Sequence, residues 1–539
     1  STLISRPRCF FRTWPVPGVY DDIIQGVTSS GMPRRAVRSA VILACVRIHL
    51  GVAGFRVVPT EQAESGRAIE PPSQRSADVK AAHWSTADAS GAIVVFCNAG
   101  GLALILGQVH PDVWEAVATC CSFGRAPVIQ ALADVGLRHS SSRFRAGVVG
   151  NLLNEACEAL MSPAHTGLTL TAITGLRQAL CDRAESVRRS SSTALGKIVG
   201  RVDARSPPLV VERLEQVLIE ALRDRRFDGD DALGGVDPGS SRALRRLLLN
   251  RGIDISRRRR VAENMTEIIG QALGHLDAVA RQGAAHELGR LGCIDMIGSG
   301  LRQVITEKLA RVVRVDLEFF VRCVAITSLG KLASSDAAET DLRHAIIEKL
   351  APALRDEDCD VRSCAAEALG GLGSLPSVSA DSRRAVVAEL ALGLRDPEPY
   401  VRTFAAEALG KIGGLASIDP GMREGIVQRL AQATRDPDFE VRLFAAVALG
   451  KVGVVAAIDV GIRGAIVKAL TRCVRDADPG VRGRSIDALR DIGCIGAAGA
   501  GMRMEILRQL GRAASDAEAE VRSGAAAAHL EVSRSLLGS

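Results

Sequence analysis

A Val-Arg pair returns every forty residues, at Val321-Arg322, Val361-Arg362, Val401-Arg402, Val441-Arg442, Val481-Arg482 and Val521-Arg522. Six residues before each arginine stands an aspartate: Asp316, Asp356, Asp396, Asp436, Asp476 and Asp516. A fixed period of this length marks a helical solenoid, in which each unit buries its apolar face only against its neighbours. It argues against one closed core. It also frees a chain of 539 residues from the size limit on a globular domain.

Residues 380–419 show what one unit must be. Ala380-Asp381-Ser382 leads, as a capping segment, into an apolar run at helical spacing that ends at Leu392. Asp396-Pro397-Glu398-Pro399 then stops the helix, because proline lacks an N–H and clashes with the preceding turn. A second helix is predicted from about Tyr400, with Val401, Ala405, Ala408, Leu409 and Ile412 on one stripe. Gly413-Gly414 is expected to end it by taking a left-handed backbone. The second helices are rich in small residues: Ala405, Ala406, Ala408 and Gly410, then Ala445, Ala446, Ala448 and Gly450. Such residues let stacked helices approach closely. The fold class is therefore all-α, a superhelical α-solenoid of stacked antiparallel helix pairs with a forty-residue period.

The spacing places each aspartate in the turn between helices and each arginine in the first turn of the second helix. An arginine fork there can bond a neighbouring repeat's turn aspartate or its free carbonyls. Repeated along the stack, Asp316 and Arg322, Asp356 and Arg362, Asp396 and Arg402, Asp436 and Arg442, Asp476 and Arg482, and Asp516 and Arg522 form a structural ladder. The pattern D-x5-R with V-R-x2-A-A-x-A-L-G-x-(I/L)-G resembles HEAT repeats, in particular the HEAT-like subclass first associated with phycobilin lyases. It holds in register over roughly 297–532. The resemblance implies second helices that line a concave face used for protein binding.

On that face the third, seventh and eleventh positions from the motif valine oppose the apolar stripe. They name Thr403, Glu407 and Lys411, then Leu443, Val447 and Lys451, then Asp487 and Asp491 as candidate protein-binding residues. Leu443 and Val447 stand out, because the other repeats are polar or small there. Apolar residues in the middle of a groove are the usual anchors of an interface.

The chain carries a net charge of +7, but the charges balance over 301–539, so the excess lies upstream. That argues against nucleic acid as the partner, which would demand clustered positive charge on the array. Thirteen cysteines are scattered without C-x2-C spacing. They read as free thiols in a reducing, intracellular and cytoplasmic setting.

Upstream the pattern weakens. Residues 1–88 are arginine-rich and acid-poor, a basic extension and linker that also fits organelle targeting. Gly91 to Val109 is apolar but short and interrupted, which makes 89–125 a capping or irregular helical segment rather than a membrane span. Residues 126–296 read as divergent repeats, with Asp182 and Arg188 in the motif's offset and a loop insertion near 225–239. Residues 297–539 are the regular array, closed by a drifted terminal repeat in which His529-Leu530 replaces Leu-Gly.

Catalytic constellations are not found in the sequence. The one His-Glu pair, His286-Glu287, stands alone where a HEAT-like di-iron hydroxylase would need several such ligands. The nine histidines are dispersed singly, and no phosphate-binding loop motif occurs. No metal, cofactor or catalytic residue is assigned. The expectation is a non-catalytic scaffold that binds a partner protein; the alternative carried by the resemblance is a bilin lyase-like or chaperone-like enzyme.

Overall fold

The computed structural model describes residues 136–138, 142–160, 165–203, 205–223 and 238–537. The basic extension, the 89–125 segment and nearly all of the 225–239 insertion lie outside them. Among the described residues there are 19 α-helices and no strand. They are α1 (Ser142–Ala159), α2 (Thr166–Leu180), α3 (Glu185–Val199), α4 (Pro208–Arg223), α5 (Pro238–Leu249), α6 (Ile255–Ala272) and α7 (Ala278–Gly292). The chain continues through α8 (Ser299–Val315), α9 (Phe319–Ser334), α10 (Thr340–Leu350), α11 (Cys359–Gly373), α12 (Ala380–Gly393) and α13 (Pro399–Gly413). It closes with α14 (Pro420–Ala433), α15 (Phe439–Gly453), α16 (Val460–Cys473), α17 (Pro479–Cys494), α18 (Ala500–Ala513) and α19 (Ala519–Leu537). They divide into two compact units, one reaching residue 221 with 242–254 added, the other comprising 222–241 and 255 onwards.

In the second unit odd and even helices alternate between two layers. The first helices α6, α8, α10, α12, α14, α16 and α18 stack on one another, as do the second helices α7, α9, α11, α13, α15, α17 and α19. The second helices α11, α13 and α15 each bury the motif valine, the alanine pair and the leucine; in α13 these are Val401, Ala405, Ala406 and Leu409, all at 0% exposure. Ser379, Asp419 and Asp459 cap first helices by accepting backbone N–H bonds, so the cap of α12 precedes the expected segment by one residue.

The glycines close the second layer sterically. A methyl placed on Gly370, Gly410 or Gly450 would stand 2.3, 2.5 or 2.7 Å from the Cβ of Ala408, Ala448 or Ala488 on the next second helix. One turn later Gly373, Gly413 and Gly453 do the same for Ile412, Val452 and Ile492, at 2.6, 2.8 and 2.4 Å. No left-handed residue is needed to end the helix: Gly414 has φ −76° and ψ −5°. The expected glycine stop is thus replaced by a different cause. Gly413 remains helical and permits contact, while the last carbonyls are taken by an arginine described below.

Candidate functional site

Two arginine rows hold the repeats together, and they leave one surface of the second helices for other work. In the first row, Arg402 Nε and Nη2 donate to both carboxylate oxygens of Asp436 at 2.8 Å, one repeat on. Its remaining nitrogen, Nη1, donates to the carbonyls of Asp396 and Pro397 at 2.9 Å, in its own turn. Arg362 grips Asp396, Arg442 grips Asp476 and Arg482 grips Asp516 with the same two-pronged geometry. Arg322 reaches Asp356 through a single bond of 2.7 Å. Arg522 bonds the carbonyls of its own turn, Asp516 and Ala517. Each aspartate is also held locally, as Asp396 accepts from the Glu398 N–H at 3.0 Å.

The row extends further upstream than the sequence pattern did. Arg281 grips Asp316, and in the first unit Arg145 grips Asp182. Neither was legible from the motif, since Phe144 and Ala280 stand where the valine belongs. Burial pushes the Asp316 and Asp476 carboxyls up. The bonds from Arg281 and Arg442 and those from backbone N–H groups outweigh it, holding both below the usual carboxylate range.

The second row was missed altogether. Arg302, Arg343, Arg383, Arg423, Arg463 and Arg503 lie on first helices, buried to 9% exposure or less. Each turns its guanidinium onto the carbonyl end of the preceding second helix. Arg423 donates to Gly413, and Arg463 donates to Gly453 at 3.2 Å and Val455 at 2.7 Å. Arg463 also reaches Ala497 in the following repeat at 3.0 Å. These carbonyls have no partner within their helix, and the negative end of the helix dipole favours a cation there. Burial alone pushes the Arg423 and Arg463 guanidiniums down, though arginine stays charged. The signal was in the sequence as arginines about forty residues apart, hidden because a charged residue reads as surface.

With the seams so filled, the free surface of the second helices can be mapped. At 100° per residue, the residue just before the motif valine and those six and ten after it lie at the centre of that surface. The residue two after the valine lies only about 20° from the seam glycine. Thr403 occupies that edge position and is buried at 6% exposure, so it leaves the proposed surface. Leu443 holds the same position and is half-buried, its Cδ1 3.4 Å from where a methyl on Gly480 would stand. Glu407, Lys411, Val447 and Asp487 are half-buried, and Lys451 and Asp491 are exposed. Glu407 and Lys411 pair with each other at 3.1 Å.

Sequence reasoning overlooked the aromatic residues. Between 255 and 537 the aromatics are Phe319, Phe320, Tyr400, Phe404, Phe439 and Phe444, each within the first six residues of α9, α13 or α15. None is in the core. Phe319, Tyr400 and Phe439 are 40%, 50% and 47% exposed, and the other three are half-buried. Tyr400 and Phe404 pack edge to face, ring centres 4.7 Å apart. Read across neighbouring helices, the row before the valine runs Phe320, Asp360, Tyr400, Glu440 and Gly480. Three residues beyond the valine it runs Val324, Cys364, Phe404, Phe444 and Arg484.

Among the described residues no group of three or more His, Cys, Asp or Glu side chains could hold a metal ion. His286 is half-exposed, 3.9 Å from buried Glu287. The described cysteines are free thiols, and no described helix is long and apolar enough to cross a membrane.

Residues 347–420 and 387–460 match the family of HEAT repeats, without singling out the phycobilin-lyase subclass. A search of curated proteins finds no match. Similar solved structures include that of Kap95p with RanGDP, at 13% identity and a TM-score of 0.52, covering 81% of this chain and 57% of the other. The Kap95:Nup1 complex matches at 12% identity and 0.51, covering 81% and 62%. Kap121p bound to Nup53p matches at 12% and 0.51, covering 81% and 45%. The chain thus spans about half the length of these structures. At such identity the likeness is one of fold.

Proposed function

We propose that this HEAT-repeat chain is a non-catalytic scaffold that binds a partner protein along the exposed face of its second helices, from α9 to α17. One observation carries the reading. Between residues 255 and 537 the described core contains no aromatic ring, and Phe320, Tyr400, Phe404 and Phe444 lie with Val447 on a band that the stack leaves uncovered, Leu443 standing at its edge. Aromatic side chains partly in contact with solvent and ringed by charge are the usual composition of interface anchors. The free thiols favour an intracellular, cytoplasmic setting for it. The complexes of Kap95 with Nup1 and of Kap121p with Nup53p, which share this fold, support the reading.

The reading is tested by placing a photo-crosslinking amino acid at Phe404 or, as a control, at exposed Arg429 on the opposite layer, in the full chain expressed in its own cells. The expected result is one recurring polypeptide crosslinked from position 404 and absent from 429. Equal labelling from both positions, or covalent attachment of a tetrapyrrole to a protein co-expressed with the chain, would overturn it.

A further inference from the structure

The aromatic band is not uniform, and its middle has a chemistry of its own. Asp360, Cys364 and Glu367 stand one, one and two turns apart on α11, at the register positions of Tyr400, Phe404 and Glu407 on the adjacent α13. Asp360, Tyr400 and Glu367 are exposed. The carboxylates of Asp360 and Glu367 accept no bond from any described residue, whereas Glu407 is tied to Lys411. On the far side of Tyr400, Glu440 holds the matching position of α15 and is exposed as well. The Tyr400 hydroxyl is pushed up, first by its partial burial and then by Asp360, Cys364 and Glu367, so these acids act on the ring.

An aromatic face flanked by unpaired carboxylates has one well-matched occupant. A cation is drawn to the ring's negative face and to the acids together, and a lysine or arginine stem covers apolar surface such as Phe404 and Cys364 while its head stays at the acids. The geometry points to a seat for a lysine or arginine side chain of the partner protein, formed by Tyr400 and Phe404 with Asp360, Glu367 and Glu440. This rests on the protein-binding reading of the same face and adds the charge of what binds there. The chain as a whole is positive at +7, so indiscriminate attraction of basic peptides is not expected.

The probe is a fluorescein-labelled peptide with eight lysines spaced by glycine and serine, and its counterpart with every lysine acetylated, followed by anisotropy on the full chain. The lysine peptide should bind with a salt-dependent affinity, and the acetylated one at least tenfold more weakly. Tyr400→Ala should weaken the lysine peptide about tenfold, Tyr400→Phe should retain most of the affinity, and Asp360→Asn with Glu367→Gln should flatten the salt dependence. Glu424→Gln, an exposed acid on α14, should change nothing. Melting curves show that each variant is folded. Equal binding of the two peptides, no binding of either, or equal binding by wild type and Tyr400→Ala would overturn the seat. Crosslinking from position 404 is unaffected by that result, so a failure here stays distinct from a failure of the scaffold reading.

Discussion

The seams between repeats and the open face of the second helices are built from the same helices, yet they behave oppositely along the stack. At the seams each repeat repeats its neighbour: arginine to aspartate, arginine to helix-end carbonyls, glycine against alanine. On the open face Phe320, Asp360, Tyr400, Glu440 and Gly480 hold one register position with five different residues. A position that must satisfy the same contact in every repeat can take few residues, whereas one facing solvent is released from that demand. Repetition here marks stability, and departure from it coincides with the surface proposed above for a partner.

That contrast can be broken from the seam side first. Arg463→Met should have the largest effect, because it strands several buried carbonyls and removes charged bonds that reach into the following repeat. A loss of about 3 kcal/mol or more is expected in urea unfolding. If Arg463→Met instead leaves the midpoint unchanged, the second arginine row is not structural. Gly410→Ala comes next. Its methyl would stand 2.5 Å from the Ala448 Cβ and 2.8 Å from its Cα, and overpacking against backbone costs about 1–3 kcal/mol.

Arg442→Ala is expected to cost about 1–3 kcal/mol through the lost fork to Asp476, with Arg442→Lys recovering part of it because lysine lacks the planar fork. Both are read in the same unfolding experiment. If both variants unfold as wild type does while partner binding disappears, the row is a binding surface instead. The smallest effect of the seam is its response to acid. Asp316 and Asp476 are held below the usual range when folded. Their contribution is fully present above the unfolded carboxyl's value near about 3.9 and is lost as pH falls through the lower, folded value. Melting temperatures should therefore be flat for these groups down to about pH 5 and fall below about pH 4, less steeply with Asp316→Asn.

How far the sequence could be read follows the same division. The period, the helix pair, the proline-marked turn and the arginine-aspartate spacing were legible because one physical demand is written over and over. Gly410 and Gly450 were legible as small residues that permit close approach, but Gly413 was assigned to helix ending rather than to the approach of Val452. The buried arginines escaped notice because their partners are backbone carbonyls, which no residue letter reveals. Counting from the valine found Glu407, Lys411, Val447 and Lys451 on the open face. It included Thr403, which the helix turn carries into the seam, and passed over Tyr400 and Phe404. That the aromatics stand outside a core layered from alanine, leucine, valine and isoleucine showed only in the packing.

The most direct measurement compares Leu443→Glu with Val447→Glu, as a double variant, against Arg442→Ala, following both the melting temperature and capture of the crosslinked partner. All three positions lie within six residues of α15, so local unfolding and loss of binding are separated at one place. The account predicts that the double variant melts within a degree or two of wild type while partner affinity falls by about 2 kcal/mol or more, and that Arg442→Ala does the reverse. A drop of several degrees in the double variant, with binding retained by the folded fraction, would make the open face part of the core and contradict the central claim.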